Sequence, residues 1–494
     1  MNLKINFKSF LKSLFRLKKI HIIFAVYTIV IFLGAGFLVT PFAHTNAVDK
    51  ISFLSALFTS VSAFSDTGLS LVDTGTSFNV FGQTIIAILI SLGGIGIFAV
   101  KFYIFNLIFG KKISILSREI LKIERGSSRL NDLKGVIKIS INLFLILVLI
   151  SSLALMLHFY YYEISPKKFS FQQSPYKNLV LSLRFAIFHS ISAINNAGFD
   201  IIGAYSFEPY YYSYFLQIII IILTIIGGIG YPVIFDFYSY FRIKLSKQKV
   251  KNFRFSLFSK ISLLSYFVIS FFGFILFIAF EASSKSNLTF WNQVENGNWF
   301  DKSFALLFHN FMSRSTGFLT FDLKQLSQAS TFLTSLLMFI GSAPSSTGGG
   351  IRVTTFWIFI LVIISRIRGS QDVNAFRRKI TTDKVVSASI VFFISLVLVI
   401  FLVFVASFSL DDSINRGKTI PYQIHHLIFE VTSAFGTSGL STGLIRDLST
   451  VSQVGFMIIM LIGQLGITSF IYVWQGNNIG KQNKTYITED ILIG

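Results

Sequence analysis

SAFGTSGLSTG, residues 433–443, lies between two strongly apolar segments and contains nothing larger than Phe and Leu. Three related stretches precede it, SAFSDTGLS at 62–70, SAINNAGF at 192–199 and SRSTGF at 313–318. The loop glycines are separated by 130, 119 and 122 residues (Gly68, Gly198, Gly317 and Gly439). A hydrophobic chain therefore interrupts itself four times, at nearly even intervals, with a loop of small residues.

Each small-residue loop is followed by an apolar segment that carries a glycine cluster. The clusters are LGGIGIF from Leu92, IGGIGYP from Ile226, IGSAPSSTGGG from Ile340 and IGQLGIT from Ile462. The first glycine of each cluster follows its loop glycine by 25, 29, 24 and 24 residues. Two landmarks that keep in step four times indicate internal repetition, with four repeats of about 120 residues.

The composition is that of a membrane protein. Of 494 residues, 53% are apolar and 13% are charged, and the mean hydropathy is +0.69. Soluble domains carry about 25% charged residues. Runs that reach the roughly 20 apolar residues of a membrane helix recur at 20–42, 136–162, 212–240, 261–280, 385–410 and 454–474. The first run follows a basic stretch and has no A-x-A cleavage site, so we interpret it as a span and not as a signal peptide.

The net charge of +21 is concentrated in short segments between the apolar runs. Residues 1–19 hold six basic residues and no acid, 111–138 eight basic and three acidic, 242–260 seven basic, and 366–384 six basic residues. The positive-inside rule expects this of cytoplasmic segments, and the pattern favours contact with anionic lipid head groups over nucleic acid. We expect a multi-pass protein of the plasma membrane with both termini in the cytoplasm.

The parts of one repeat follow from their lengths. A full span comes first, and about 14 mostly apolar residues then lead into the small loop, at 51–64, 180–194, 299–312 and 421–434. Such a helix covers about 21 Å at 1.5 Å per residue, too short for a hydrocarbon core of about 30 Å. Each repeat is thus predicted to be a span, a re-entrant half-helix, a loop and a second full span. Pro421 suits the first turn of the fourth half-helix.

These parts predict an all-α integral membrane fold with four pseudo-symmetric repeats around a central ion pore. The expected divisions are a basic cytoplasmic N-terminus at 1–19, repeat one at 20–110, a cytoplasmic loop plus repeat two at 111–243, a loop plus repeat three at 244–366, a loop plus repeat four at 367–480, and a cytoplasmic tail at 481–494. Basic loops at 111–134 and 366–384 are compatible with docking of a cytosolic partner.

The four loops are candidates for a cation filter. Four half-helices that aim their C-termini at one axis would place partial negative charge there. Rings of loop carbonyls could replace the water shell of a monovalent cation, and glycine permits the backbone geometry that this requires. Close helix packing is the alternative use of small residues, but it explains four loops in register poorly. The candidate ion-binding residues are Asp66, Thr67, Gly68, Asn196, Ala197, Gly198, Ser315, Thr316, Gly317, Thr437, Ser438 and Gly439.

Together these motifs resemble the KtrB-type subunits of the Ktr/Trk/HKT superfamily of potassium transporters. The resemblance covers essentially the whole chain and rests on SDTGL at 65–69, NNAGF at 195–199, SRSTGF at 313–318, FGTSGL at 435–440, GGIGYP at 227–232, IGSAPSSTGGGI at 340–351 and EDILIG at 489–494. It implies M1–P–M2 repeats, potassium in the filter and no cofactor. It also implies a homodimer with one pore per protomer, working with a cytosolic nucleotide-binding ring of the KtrA type. In plant relatives a Ser at the first filter position goes with sodium transport, so Gly68 favours potassium.

The second span of repeat three, roughly 328–366, differs from the others because it is broken at Ser342–Gly350. Pro344 and three consecutive glycines are incompatible with a continuous helix. A phosphate-binding loop is the competing interpretation, but no GK[ST] follows. In the family that the chain resembles, this segment is a gate beneath the filter. The candidate gate residues are Gly341, Ser342, Ala343, Pro344, Ser345, Ser346, Thr347, Gly348, Gly349, Gly350 and Gln464.

Two residues depart from the family pattern. Asp66 lies in the first filter loop, where an uncharged Val or Thr is expected. It could attract cations, alter selectivity, or point behind the filter and pair with a base such as Arg314. Gln464 stands where relatives typically carry an Arg near the gating loop. It can donate hydrogen bonds to the loop but supplies no charge, so we predict a leakier closed state.

Other functions are less favoured by the sequence. A sodium-permeable or weakly selective pore stays open because of Asp66. A membrane enzyme would need convergent acids, bases or nucleophiles, and the chain has no Cys. A proton-coupled transporter needs intramembrane carboxylates, and the candidates lie in loops or near span ends. His425 and His426 lack further ligands at metal-binding spacing, and Glu430 is predicted to make a structural hydrogen bond behind the filter.

Overall fold

The structure is a computed structural model of the chain. It describes residues 19–45, 50–96, 99–100, 103, 133–164, 174–203, 206–245, 253–370, 372–415 and 423–474. The basic N-terminus up to residue 18, the loop at 104–132, Pro421 and the tail from 475 lie outside the described residues. Predictions that concern those segments therefore remain predictions.

The first span of each repeat is a long apolar helix. These helices are α1 (Lys19–Val39), α5 (Leu133–Tyr161), α9 (Leu257–Ser283) and α13 (Thr382–Asn415). Each is long and apolar enough to cross a membrane, with mean hydropathy between 2.5 and 3.2. Large apolar side chains on α13 stay exposed, Phe401 at 62% and Phe404 at 61%. In a bilayer such a face contacts lipid.

Four short helices stand at the positions predicted for the half-helices. They are α2 (Phe53–Phe64), α6 (Leu179–Ile194), α10 (Trp299–Met312) and α14 (Ile424–Gly436). Their starts are set by side-chain caps: Ser52 accepts from the Ser55 backbone N–H at 3.1 Å, and Asn178 accepts from that of Leu181 at 3.1 Å. Asn298 and Asp301 form a capping box on α10. Each helix ends directly before its small-residue loop.

The second segments correct the prediction of unbroken spans in repeats two and four. They consist of α4 (Val80–Ile95), α7 (Tyr214–Gly228) with α8 (Tyr231–Leu245), α11 (Gln328–Phe339) with α12 (Val353–Ile367), and α15 (Thr450–Leu465) with α16 (Ile467–Trp474). Helices α7 and α8 meet at an angle of 99°. Gly96, Gly230 and Gly466 have φ of 85°, 87° and 81° at the ends or breaks. A residue with positive φ terminates a helix, and glycine takes it without strain.

Smaller elements complete the described chain. They are α3 (Thr74–Ser77), 3-10 turns at Pro41–Ala43, Glu208–Tyr210, Val294–Asn296, Leu323–Gln325 and Leu444–Arg446, and a hairpin of β1 (Asn374–Ala375) and β2 (Arg378–Lys379) between repeats three and four. The strands are antiparallel, with Asn374 opposite Lys379.

The buried apolar side chains join consecutive repeats. One cluster combines Phe78 of repeat one with Phe185 of repeat two and Phe308 of repeat three. A second combines Leu337 of repeat three with Phe429 of repeat four. A third combines repeat four with repeat one and includes Phe64. The repeats are therefore arranged in a closed circle.

Candidate ion pore

The four loop glycines meet around one axis and are called here the glycine ring (Gly68, Gly198, Gly317 and Gly439). Their φ values are 88°, 65°, 78° and 86°. A Cβ added to Gly68 would lie 2.5 Å from the Ala197 carbonyl oxygen. At the other three glycines it would lie closer still, against the carbonyl oxygens of Thr316, Ser438 and Thr67. Each loop thus faces the backbone of the next in chain order, and the fourth faces the first.

Three loops leave their half-helices by the same hydrogen bond. The backbone N–H groups of Thr67, Ala197 and Ser438 donate to carbonyls five residues earlier, at 2.9, 2.8 and 2.9 Å. In the third loop the N–H groups of both Thr316 and Gly317 donate to Met312, each at 3.0 Å. The third loop is therefore shifted by one residue at its base. All twelve residues proposed for the filter lie in these four adjoining loops.

The residues two positions before the glycines form what we call the polar layer (Asp66, Asn196, Ser315 and Thr437). All four side chains are fully buried. Ser315 Oγ lies 3.0 Å from the Asn196 amide. The Asn196 amide nitrogen donates to the carbonyls of Thr224 and Ala193. In this orientation of the amide, Asn196 Oδ1 accepts the hydrogen bond from Ser315 Oγ. The layer is thus a set of buried hydrogen-bonding groups adjoining the glycine ring.

The broken segment of repeat three, the 340–352 loop, contacts the polar layer directly. Ser342 Oγ donates to Ser315 Oγ at 2.9 Å, and the Gly349 N–H donates to Thr437 Oγ1 at 2.7 Å. Repeat two holds the other side, since the Ala343 N–H donates to the Gly228 carbonyl at 3.0 Å. The loop is therefore attached to three repeats at once.

Gln464 bridges the loop and the first filter segment. Its Nε2 donates to Thr347 O at 2.9 Å and to Asp66 Oδ2 at 3.0 Å. The two departures from the family pattern therefore touch each other, although they are 398 residues apart. The expected ability of Gln464 to donate to the loop is confirmed by this geometry, whereas leakage of the closed state stays a prediction.

Arg352 supplies a cationic contact that the sequence reasoning missed. One guanidinium nitrogen, Nη2, donates to the backbone carbonyl of Gln464 at 2.8 Å, and Nη1 donates to the carbonyl of Gly348. The signal was present in the sequence, because a basic residue follows the glycine triplet inside an otherwise apolar segment. The positive charge of Arg352 therefore binds the C-terminal end of the 340–352 loop, although Gln464, where an Arg is expected, is neutral.

The suggested pairing of Asp66 with Arg314 is wrong. Arg314 is fully buried and donates to Tyr266 O at 3.0 Å and to Gly341 O at 2.6 Å. Its guanidinium lies 4.4 Å from the centroid of the Tyr266 ring. Arg314 belongs to the third loop and bonds to α9 and to the start of the 340–352 loop, and these contacts occupy it away from Asp66.

Glu430 braces the fourth loop from behind, as expected. Its Oε1 accepts from Ser441 Oγ at 2.9 Å and from the Thr442 backbone N–H at 2.7 Å. Thr442 Oγ1 adds a third hydrogen bond at 2.8 Å.

Among the residues that the structure describes, no group of three or more His, Cys, Asp or Glu side chains could hold a metal ion. His425 and His426 form no such site.

Asp200 follows the second small-residue loop, two residues after Gly198. The Gly203 N–H donates to its Oδ1 at 3.4 Å. Burial, and to a smaller degree the carboxylate of Asp73, raises the pKa of Asp200 to about 7. The carboxyl group of Asp200 is therefore expected to change charge near neutral pH.

Comparisons with known proteins agree with this architecture. The TrkH family, described as cation transport protein, matches residues 10–476. The chain is 34% identical to Ktr system potassium uptake protein D of Bacillus subtilis, covering 92% of both chains. It is 31% identical to potassium/sodium uptake protein NtpJ of Enterococcus hirae, covering 97% of this chain and 98% of that protein.

A solved structure has the same fold. The crystal structure of the potassium transporter TrkH from Vibrio parahaemolyticus superposes with a TM-score of 0.59 at 17% identity, covering 86% of this chain and 79% of the other. The family match spans most of the chain. The proteins of this family are transporters and not enzymes. The chain belongs to the TrkH family of cation transport proteins.

Proposed function

We propose that the chain mediates potassium uptake across the plasma membrane through a filter made by the four small-residue loops. The glycine ring is the observation that carries this proposal. Four positive-φ glycines, each against the carbonyl of the next loop, bring the backbone oxygens of the four loops together, and these oxygens are proposed to line the narrowest passage. Carbonyl rings of this kind replace the hydration shell of potassium. The printed name of the Bacillus subtilis relative supports the same ion.

The half-helices add an electrostatic contribution. Helices α2, α6, α10 and α14 end at the four loops, and the C-terminal end of a helix carries about half a negative charge. The four ends would stabilise a cation at the axis. The cation is proposed to move passively, down its electrochemical gradient. A sodium-permeable pore of the same fold is the second candidate, which Asp66 and the name of the Enterococcus hirae relative favour.

The 340–352 loop is proposed as the gate. Its hydrogen bonds to Ser315, Thr437 and Gln464 would hold it across the passage adjoining the polar layer. A net hydrogen bond contributes about 1 kcal/mol, so a few of them give a closed state that a partner can still open. The resemblance to KtrB-type subunits supports a homodimer and a cytosolic nucleotide-binding ring of the KtrA type as that partner.

Separate measurement of potassium and sodium uptake tests the filter. We would compare the wild type, Gly68→Ser and Asp66→Val in potassium-starved cells that lack their own uptake systems. Among the four ring glycines, Gly68 is the one where an added Cβ overlaps the neighbouring carbonyl oxygen least, so Gly68→Ser is expected to conduct while admitting sodium. Equal fluxes of both ions in the wild type that become potassium-selective in Asp66→Val would support the second candidate. A properly inserted wild type that, with its partner supplied, passes neither ion would disprove both.

Uptake is expected to depend on pH through Asp200. Its raised pKa of about 7 means that the carboxyl is neutral below pH 7 and charged above it. A unit charge about 4 Å away contributes about 1 kcal/mol in water, or roughly a five-fold change in local cation concentration. At low external potassium, uptake into proteoliposomes should therefore fall several-fold between about pH 8 and pH 6.

Asp200→Asn should abolish that pH step and match the wild type at low pH. Asp322→Asn removes an exposed carboxylate from another loop and should leave the step unchanged. An unaltered step in Asp200→Asn would assign the pH dependence to another group.

A further inference from the structure

Asp66 is a buried carboxylate whose charge the protein does not neutralise. The side chain is 0% exposed. Its Oδ2 accepts one hydrogen bond, from Gln464 Nε2 at 3.0 Å, and its Oδ1 has no hydrogen-bond partner. Among the described residues, no Lys, Arg or His nitrogen lies within 4.0 Å of this carboxylate. Arg314, the partner suggested from the sequence, is bonded elsewhere.

Asp66 Oδ1, which has no hydrogen-bond partner and is called here an open oxygen, has a counterpart on Gln464. Gln464 uses both hydrogens of its amide nitrogen, on Asp66 and on Thr347 O. Its Oε1 is buried and has no partner. The hydrogen bond between Gln464 Nε2 and Asp66 Oδ2 places the two open oxygens on neighbouring side chains. Both are buried acceptors to which no described group of the protein donates.

A buried carboxyl group is stabilised either by a nearby positive charge or by a proton. A carboxylate that is buried without a counter-charge costs several kcal/mol, and a hydrogen bond from one neutral amide offsets only part of that. Asp66 belongs to the polar layer and stands two residues before Gly68 of the glycine ring. A cation that passes the ring would therefore come near Asp66, while Arg352 bonds to the backbone of Gln464.

We propose that Asp66 Oδ1 and Gln464 Oε1 bind one desolvated monovalent cation between the glycine ring and the 340–352 loop. The inference rests on the proposed pore and adds to it a site outside the four backbone loops. One carboxylate matches one unit charge. A divalent ion is disfavoured, because such ions take several carboxylate oxygens and the described residues offer no cluster of three ligating side chains.

Rubidium tests the site, since it replaces potassium and scatters anomalously. Crystals of the full chain grown in rubidium should show anomalous density at the filter loops and a further peak beside Asp66. Asp66→Asn should lose that peak and keep those at the filter, with one rubidium ion fewer per protomer at equilibrium. Asp200→Asn makes the same change beside the second small-residue loop and should retain both. Asp66→Glu, which keeps the charge, should restore the ion.

The outcomes separate the site from the pore. Filter density without a peak beside Asp66 in the wild type would overturn the site and leave the proposed function intact, and would mean that a proton neutralises the carboxyl. A peak that persists unchanged in Asp66→Asn would also overturn it. Density at neither place would overturn the pore and the site together. The wild-type map decides even if a variant fails to fold.

Discussion

Replacing Gly198 by alanine is expected to reduce cation uptake at least about 100-fold. Gly198 has φ of 65°, and an L-residue in this region costs roughly 1–2 kcal/mol. The larger effect is steric, because the new Cβ would overlap the Thr316 carbonyl oxygen more closely than at any other glycine of the ring. That atom is backbone and cannot swing aside. The third loop must therefore move, and the passage loses its shape.

Rubidium uptake by starved cells, normalised to the amount of protein in the membrane, measures this effect. Gly36→Ala is the matched control, because Gly36 lies in helix α1 with nothing within 4 Å of an added Cβ. Alanine also favours a helix over glycine by about 1 kcal/mol. Gly36→Ala should transport like the wild type. Wild-type uptake by Gly198→Ala would mean that the glycine ring is not the passage.

Releasing the 340–352 loop is expected to have the second largest effect. Arg352→Gln removes charge-assisted hydrogen bonds to the carbonyls of Gly348 and Gln464. Hydrogen bonds to charged groups contribute about 1.5–3 kcal/mol, and 1.4 kcal/mol is a factor of ten in an equilibrium. The open population, and with it the flux measured without any regulatory partner, should rise about 10- to 100-fold.

Proteoliposomes that contain the chain alone provide the measurement. Arg368→Gln makes the same substitution at the exposed far end of α12 and should leave the flux near the wild-type value. Gln464→Ala should also raise the flux, but by a smaller factor, because it removes hydrogen bonds from a neutral donor. A flux that is unchanged or lower in Arg352→Gln would show that the loop does not close the pore.

The repeats and the half-helices could be predicted from the sequence because they depend on local properties. Loop spacing and helix length are read directly along the chain, and α10 spans Trp299–Met312 as expected. The breaks at Gly230 and Gly466 could not be predicted in the same way. A glycine in an apolar segment serves close packing as readily as a helix end, and its positive φ is decided by the neighbours that it meets in three dimensions.

The contacts of the site were harder to predict than its members. Asp66 and Gln464 could each be identified as unusual, but their hydrogen bond joins the first and fourth repeats across 398 residues. The number of residues between two helices does not determine their relative position along the axis of the circle. Arg314 shows the same limit, since the base suggested as the partner of Asp66 bonds to Tyr266 instead.

The circular order of the repeats has a consequence for how such a pore can diverge. In a tetramer of identical subunits every substitution appears four times, and four buried carboxylates around one axis would repel one another. Here one chain supplies all four quarters, so Asp66 occurs in a single quarter while Asn196, Ser315 and Thr437 stay uncharged. Phe24 and Phe470, in the first and last described helices, have ring centroids 6.4 Å apart. Because the circle also closes there, the first and last repeats meet as the others do, and the quarters differ both in side chains, as at Asp66, and in backbone, as in the 340–352 loop.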